Sequence, residues 1–229
     1  KPGTPQVQNQ PAPEAVSTEN FDDVPLENAK IDYDKPEVVI YHTHATESYT
    51  SSENYKYTFA GGEYRTTDRD FSVCRIGEEI KNYIEKYYGL AVINDTTLHD
   101  YPYYNESYKR SRVTAEALIK KYPDAKFFID VHRDAEVPRD RMVADIRGDK
   151  ASKIMFVIGK GNPHWQENYQ LSQKLNQKVE ELYPGLSRGI LIKQALYNQD
   201  ISNKVILIEI GGDVCTLDES ITTAKMVGR

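Results

Sequence analysis

Five short apolar runs rich in β-branched and aromatic residues punctuate the chain: EVVIYH (37–42), LAVIND (90–95), AKFFIDVH (125–132), KIMFVIG (153–159) and KVILIEIGG (204–212). Their hydrophobicity is nearly continuous rather than alternating, which predicts strands buried on both faces. Between them the apolar positions fall at helical spacing. FSVCRIGEEIKNYIEKYY (71–88) stops at Gly89, ESYKRSRVTAEALIKKY (106–122) stops at Pro123, and WQENYQLSQKLNQKVEELY (165–183) stops at Pro184-Gly185, all residues that terminate helices. GILIK (189–193) is expected as an edge strand, and Thr216-Leu-Asp-Glu219 has the form of a capping box opening a last helix. Alternation of strands and helices predicts right-handed crossovers and an α/β fold with a mostly parallel sheet and helices on both faces, in a single domain over 36–229.

The first 35 residues carry no such pattern. They are rich in Pro, Gln, Asn, Glu and Asp, with too few large apolar side chains to offset the entropy of ordering them, and are expected to form a flexible tether.

Composition narrows the function classes. A net charge of -6 over 229 residues, with Lys and Arg scattered, gives no concentrated positive face for nucleic acid. No window reaches the roughly 18–20 consecutive apolar residues of a membrane span, and KPGTPQVQNQPAP lacks the basic and apolar parts of a signal peptide. The expectation is a soluble piece that touches a membrane only through a segment absent here. Cys74 and Cys215 have no CxxC spacing and form no zinc or redox signature. They are expected as buried free thiols, with one disulfide as the alternative.

Ligands in open α/β sheets gather at the carboxyl ends of the strands, and three predicted strand ends carry reactive side chains. His42, His44 and Glu47 follow the first, Asp130 and His132 end the third, and Glu209 lies in the last. Two imidazoles and a carboxylate with an open fourth position are the ligand set of a catalytic zinc. His44 and Glu47 stand at HxxE spacing, which favours His44 over His42 as the ligand and leaves His42 to support it or to touch substrate. Taken singly, each is more often a hydrogen-bonded structural residue. Together they weigh more, since three of only five histidines fall at strand ends. His99 and His164 read as structural or exposed. Glu209, inside VILIEIGG, needs solvent or a strong partner, because an unpaired buried carboxylate costs several kcal/mol, on the order of the desolvation penalty of one ion.

YHTHATESY (41–49), DVHRDA (130–135), YPGLSRGI (183–190), YNQD (197–200) and LIEIGG (207–212), in that order, resemble the stage II sporulation protein P family, which is related to zinc-dependent N-acetylmuramoyl-L-alanine amidases. The likeness spans about residues 36–220. It implies an amidase-like domain, anchored through an N-terminal membrane segment in the space between mother-cell and forespore membranes. It implies work on peptidoglycan during engulfment with stage II sporulation proteins D and M, cleavage of the amide between muramic acid and L-alanine, and an added endopeptidase activity on the cross-link. Carried over residue by residue, the zinc ligands fall on His44 and His132 and the catalytic glutamate on Glu209. The third ligand departs from the pattern. Related amidases place a glutamate just before the first long helix, where this chain reads TTDRDFSV, so the ligand is assigned to Glu47 with Asp70 as competitor.

In that scheme Glu209 takes the proton of the attacking water and passes it to the leaving nitrogen, Asp130 orients an imidazole, and Arg133 and Asp134 bind substrate or stabilise the oxyanion, unless they form a surface salt bridge. Asn198, Gln199 and Asp200 are weaker groove-lining candidates. The tyrosines of YPYYNESY (101–108) either stack on sugar faces or pack the loop and helix against the sheet. Two rivals stand: a metallo-carboxypeptidase, which needs a cationic pocket the sequence does not single out, and a non-catalytic peptidoglycan-binding scaffold.

Overall fold

A computed structural model describes residues 23–229. Strands β1 (Val38–Tyr41), β2 (Val92–Asn94), β3 (Phe127–Asp134), β4 (Val143–Ile146), β5 (Asp149–Ser152), β6 (Ile154–Gly159), β7 (Ser187–Lys193) and β8 (Val205–Gly212) are joined with helices α1 (Val73–Tyr88), α2 (Ser107–Lys121), α3 (Trp165–Leu182) and α4 (Leu217–Gly228). Six strands form one sheet in the order β2-β1-β3-β8-β6-β7. Every neighbouring pair is parallel except β6 with β8.

The apolar runs become the centre of this sheet because both faces are covered. Val38, Ile40, Ile206, Ile208 and Phe156 meet Ile76 and Ile80 of α1, Leu171, Leu175 and Val179 of α3, and Ile221 and Ala224 of α4. On the opposite face, Val39, Tyr41, Phe128 and Val205 pack on Ala115 and Leu118 of α2. Burying each such aliphatic side chain contributes about 1.5–3 kcal/mol. The helix ends follow the sequence. Ser72 caps α1, Gly89 closes it at φ 65°, and Thr216 and Glu219 make the reciprocal capping box of α4. GILIK lies in β7, at the sheet edge beside β6.

The small β4-β5 hairpin was not expected. Arg147 and Gly148, at φ 57° and 93°, make its tight turn, and the hairpin packs on α4 through β5. Of the expected tether, residues 1–22 lie outside the described residues. The stretch after them is tied to α1: Leu26 N–H donates to Lys86 O, and the Tyr33 hydroxyl donates to Glu85 Oε2 at 3.0 Å. Cys74 and Cys215 are buried and unpaired. Among the described residues no helix is long and apolar enough to cross a membrane. An apolar cavity of about 360 Å³ lies at the amino ends of β1 and β3, among Ile80, Phe127, Val179 and Ile206, at the end of the sheet opposite the polar rim.

Candidate metal centre

The polar rim is built where β1, β3 and β8 end. After Tyr41 the chain leaves the sheet and turns, with Glu47 N–H donating to His44 O at 2.9 Å. This turn is what HxxE spacing encodes, and it presents His44 and Glu47 side by side. His132 and Glu209 are direct partners in the parallel β3-β8 register, and a bulge between His132 and Asp134 follows at once. One donor atom each from His44, Glu47 and His132 lies within 4.8 Å of the others, and all three residues are buried. The two imidazoles meet edge to face with ring centroids 5.2 Å apart.

Polar contacts surround the donors, among which His132 Nε2 is a buried nitrogen without a hydrogen bond. Arg133 N–H donates to Glu47 Oε2 at 3.1 Å. His132 Nδ1 stands 3.6 Å from Glu47 Oε2, while its Nε2 faces Asp130 Oδ1 at 3.0 Å. Asp130 is held in turn by Thr43, whose N–H and hydroxyl donate to it at 2.8 and 2.6 Å. The electrostatics reflect this crowding. Burial acts to raise Glu47 and Asp130, but His132 outweighs it and holds both carboxyls below their usual range; Asp130 and Glu47 likewise raise His132 against its own burial. Burial dominates at His44 and pushes its pKa down to about 4, which keeps the imidazole neutral.

Glu209 behaves oppositely. Burial is the main cause that pushes it up to about 8, and its Oε2 is a buried oxygen with no hydrogen-bond partner. His44 Nδ1 is buried and unpartnered as well, with Asp100 Oδ2 no nearer than 3.9 Å. Unsatisfied nitrogen and oxygen beside a His-Glu-His cluster are what a rim shaped for a cation presents. The donor set, two imidazoles and one carboxylate, fits zinc.

Other expected residues sit elsewhere. Asp70 is exposed on a 3-10 turn and is not brought to the cluster. His42 is fully buried, its Nδ1 and Nε2 each 3.0 Å from Val131 O and Asn94 Oδ1, so it ties the end of β1 to its neighbours. Arg133 is buried, its guanidinium spent on the carbonyls of Ser48, Asp134 and Tyr64. Asp134 is paired with Arg188 at 2.7 Å. Gln199 is fully buried against Val157 and Gly159, Asn198 binds Tyr108 O and Ser111, and the partly buried Asp200 pairs with Arg112. His99 is buried with ring nitrogens on His42 O and Thr114.

Arg65 and Asp100, which the sequence did not single out, support the cluster from two loops, together with tyrosines of the 101–108 stretch. Arg65 reaches Asp100 at 2.9 Å and Glu47 at 3.8 Å and lies 4.6 Å over the Tyr104 ring. Asp100 accepts from the Thr46 hydroxyl at 2.6 Å. Tyr104 stacks on His44 at 4.7 Å and Tyr108 lies edge-on to it at 5.5 Å. The motif TTLHDYPYY gave Asp100 no signal beyond its charge.

The family profile of stage II sporulation protein P matches residues 3–229. The chain belongs to this family. The stage II sporulation protein P of Bacillus subtilis (strain 168) is 31% identical over 202 residues, which cover 81% of this chain and 48% of that one. The chain therefore spans about half the length of that relative. Among solved structures, the CwlD amidase of Clostridioides difficile in complex with the GerS lipoprotein aligns with TM-score 0.50 at 14% identity, over 84% of this chain and 95% of that one. An N-acetylmuramoyl-L-alanine amidase from Clostridium difficile 630 aligns with TM-score 0.48 at 15% identity, over 85% and 95%. At such identity the likeness to CwlD speaks for the fold, and it agrees with the α/β architecture read from the strands.

Proposed function

We propose that the folded part, residues 36–229, is a zinc-dependent peptidoglycan hydrolase of sporulation that cleaves the amide between N-acetylmuramic acid and L-alanine. The observation that carries this reading is the convergence of His44, Glu47 and His132 within 4.8 Å, beside an unpartnered Glu209 carboxylate on the adjoining strand. Membership of the stage II sporulation protein P family supports reading that reaction as one carried out on the wall between mother cell and forespore, with stage II sporulation proteins D and M as partners.

His44, Glu47 and His132 would hold the zinc, which when bound lowers the pKa of water toward 7 and polarises a carbonyl oxygen. The protein's own groups do the rest. Glu209, which burial inclines to keep its proton, is placed to accept one from water and return it to the departing nitrogen, a transfer that works best when the carboxyl's pKa lies near the working pH. Asp130 faces His132 Nε2 and so leaves Nδ1 turned toward Glu47, the usual way a carboxylate orients a ligating imidazole.

The test is mass analysis of products released from purified cell wall, with and without chelator. Free stem peptides that vanish on chelation support the amidase reaction. Shortened peptides indicate cross-link cleavage instead, and no release, together with no bound zinc, leaves the scaffold reading. Two variants assign the roles: Glu209→Gln is expected to retain about one zinc per chain without turnover, and His132→Ala to lose both. Near-normal turnover in Glu209→Gln removes it as the base.

A further inference from the structure

Aromatic side chains in this fold are mostly buried, but on two adjoining loops they are not. Tyr101, Tyr103 and Tyr104 are 44%, 75% and 52% exposed, and Phe59 is 46% exposed. The loops touch: the Tyr101 ring lies where a side chain on Gly61 would meet it at 3.5 Å, and Arg65 covers the Tyr104 ring. Exposed apolar clusters of this kind on a soluble domain mark a binding surface.

The backbone beneath these rings is stapled. Arg110 donates to both His99 O and Tyr103 O, and Ser107 Oγ donates to Tyr104 O. Tyr103 makes no ring contact among the described residues, so its face is free while its backbone is fixed. A rigid tyrosine with two rotatable bonds offers a large amphipathic face at small entropic cost. A shallow depression of about 490 Å³ opens there, with Asn105 and Glu106 bordering it beside Tyr103, Tyr104, Pro102 and Arg110.

What lies on it follows from the proposed reaction, on which this inference rests. The scissile amide hangs from the lactyl arm of a sugar, so when its carbonyl is at His44 and His132 a pyranose ring must lie beside them. Tyr104, stacked 4.7 Å from His44, is the first aromatic outward from the cluster, and Tyr103 is the next residue. The apolar C–H face of a pyranose stacks on an aromatic ring. Its acetamido group needs one acceptor and one donor, and the amide of Asn105 offers both. We infer that the 101–106 loop is a glycan-binding platform, on which Tyr103 stacks an N-acetylated sugar next to the one carrying the cleaved peptide.

The probe is the β-1,4-linked tetramer of N-acetylglucosamine, which has the glycan backbone but no amide to the stem peptide, so it reports binding without hydrolysis. Titrated calorimetrically into the 229-residue chain, it is expected to bind. In Tyr103→Ala the affinity is expected to fall about tenfold, a difference of about 1.4 kcal/mol, while Tyr103→Phe, which keeps the ring, stays within about twofold of the parent, roughly 0.4 kcal/mol. Tyr88→Ala, at an exposed tyrosine on α1, should bind as the parent does. Because Tyr103 is mostly exposed, its loss leaves the thermal midpoint in place, which separates lost binding from lost fold. No binding by the parent at millimolar tetramer, or equal binding by Tyr103→Ala, overturns the platform. Ring-dependent binding in a chain that releases no stem peptide would sink the hydrolase reading and leave the platform standing.

Discussion

Glu209 is half-buried in β8 among the buried Leu207, Ile208 and Ile210, with its Oε2 enclosed, and this desolvation has a consequence for stability that does not depend on catalysis. In the metal-free protein its carboxyl is pushed from 4.5 to about 8 by desolvation first, with the charges of Glu47 and Asp134 adding to it. Between those two values the folded chain keeps a proton that the unfolded chain has released, so stability falls as pH rises through that window. Glu209→Gln removes the titration. Urea unfolding in chelator is expected to show the variant gaining on the parent between pH 5 and pH 9, by on the order of a few kcal/mol at the upper end; parallel pH profiles would mean that the carboxyl is not desolvated. Arg65 supports the donors from a neighbouring loop. Its guanidinium joins Asp100, Glu47 and the Tyr104 ring, and so steadies the turn that carries two of the three donors. Groups of this supporting kind are worth about 10–100-fold in metal affinity. Arg65→Ala is expected to weaken zinc binding by that factor in competition with a chromophoric chelator, while Arg65→Lys, which keeps the charge but not the fork, recovers only part of it.

Among the elements, α1 lies close against His42, just after β1, and Asn94 of β2. Glycine inside a helix normally costs about 0.5–1 kcal/mol relative to alanine, yet Gly77 sits mid-helix. A β-carbon there would meet Asn94 Oδ1 at 2.5 Å and His42 Nε2 at 2.9 Å, so Gly77 is what lets α1 lie on the His42-Asn94 contact. Gly77→Ala should therefore lower stability in urea unfolding despite alanine's better helix propensity, and a stabilised variant would show that the contact yields easily. This pairing also shows what the sequence could and could not convey. The strands were legible because Val38–Tyr41, Phe127–Ile129 and Val205–Ile208 are apolar on both faces, and HxxE was legible because its spacing is one turn. The β4-β5 hairpin was not, since DKAS has little strand character and only the Arg147-Gly148 turn marks it. Arg65 and Asp100 were invisible for a different reason: they reach Glu47 and His44 from separate loops, with no period to announce the contact.

For the whole molecule, the donors arrive from distant parts of the chain. His44 and Glu47 follow β1, His132 ends β3, and Glu209 faces it from β8, so the cluster exists only when the three central strands are in register. A ligand that binds the folded state alone stabilises it by about 2.7 kcal/mol at a hundredfold excess over its dissociation constant. For a domain of this size that raises the unfolding midpoint by roughly 5–10 °C. Zinc added to the chelator-treated protein is expected to produce a shift of this order. Glu209→Gln should keep it, because that carboxyl is not among the three donors, whereas His132→Ala should abolish it. An unchanged midpoint in the parent would separate the sheet's register from the metal. The His-Glu-His cluster would then be a hydrogen-bonded core of the rim, and the family's chemistry would have to be sought elsewhere on the sheet edge.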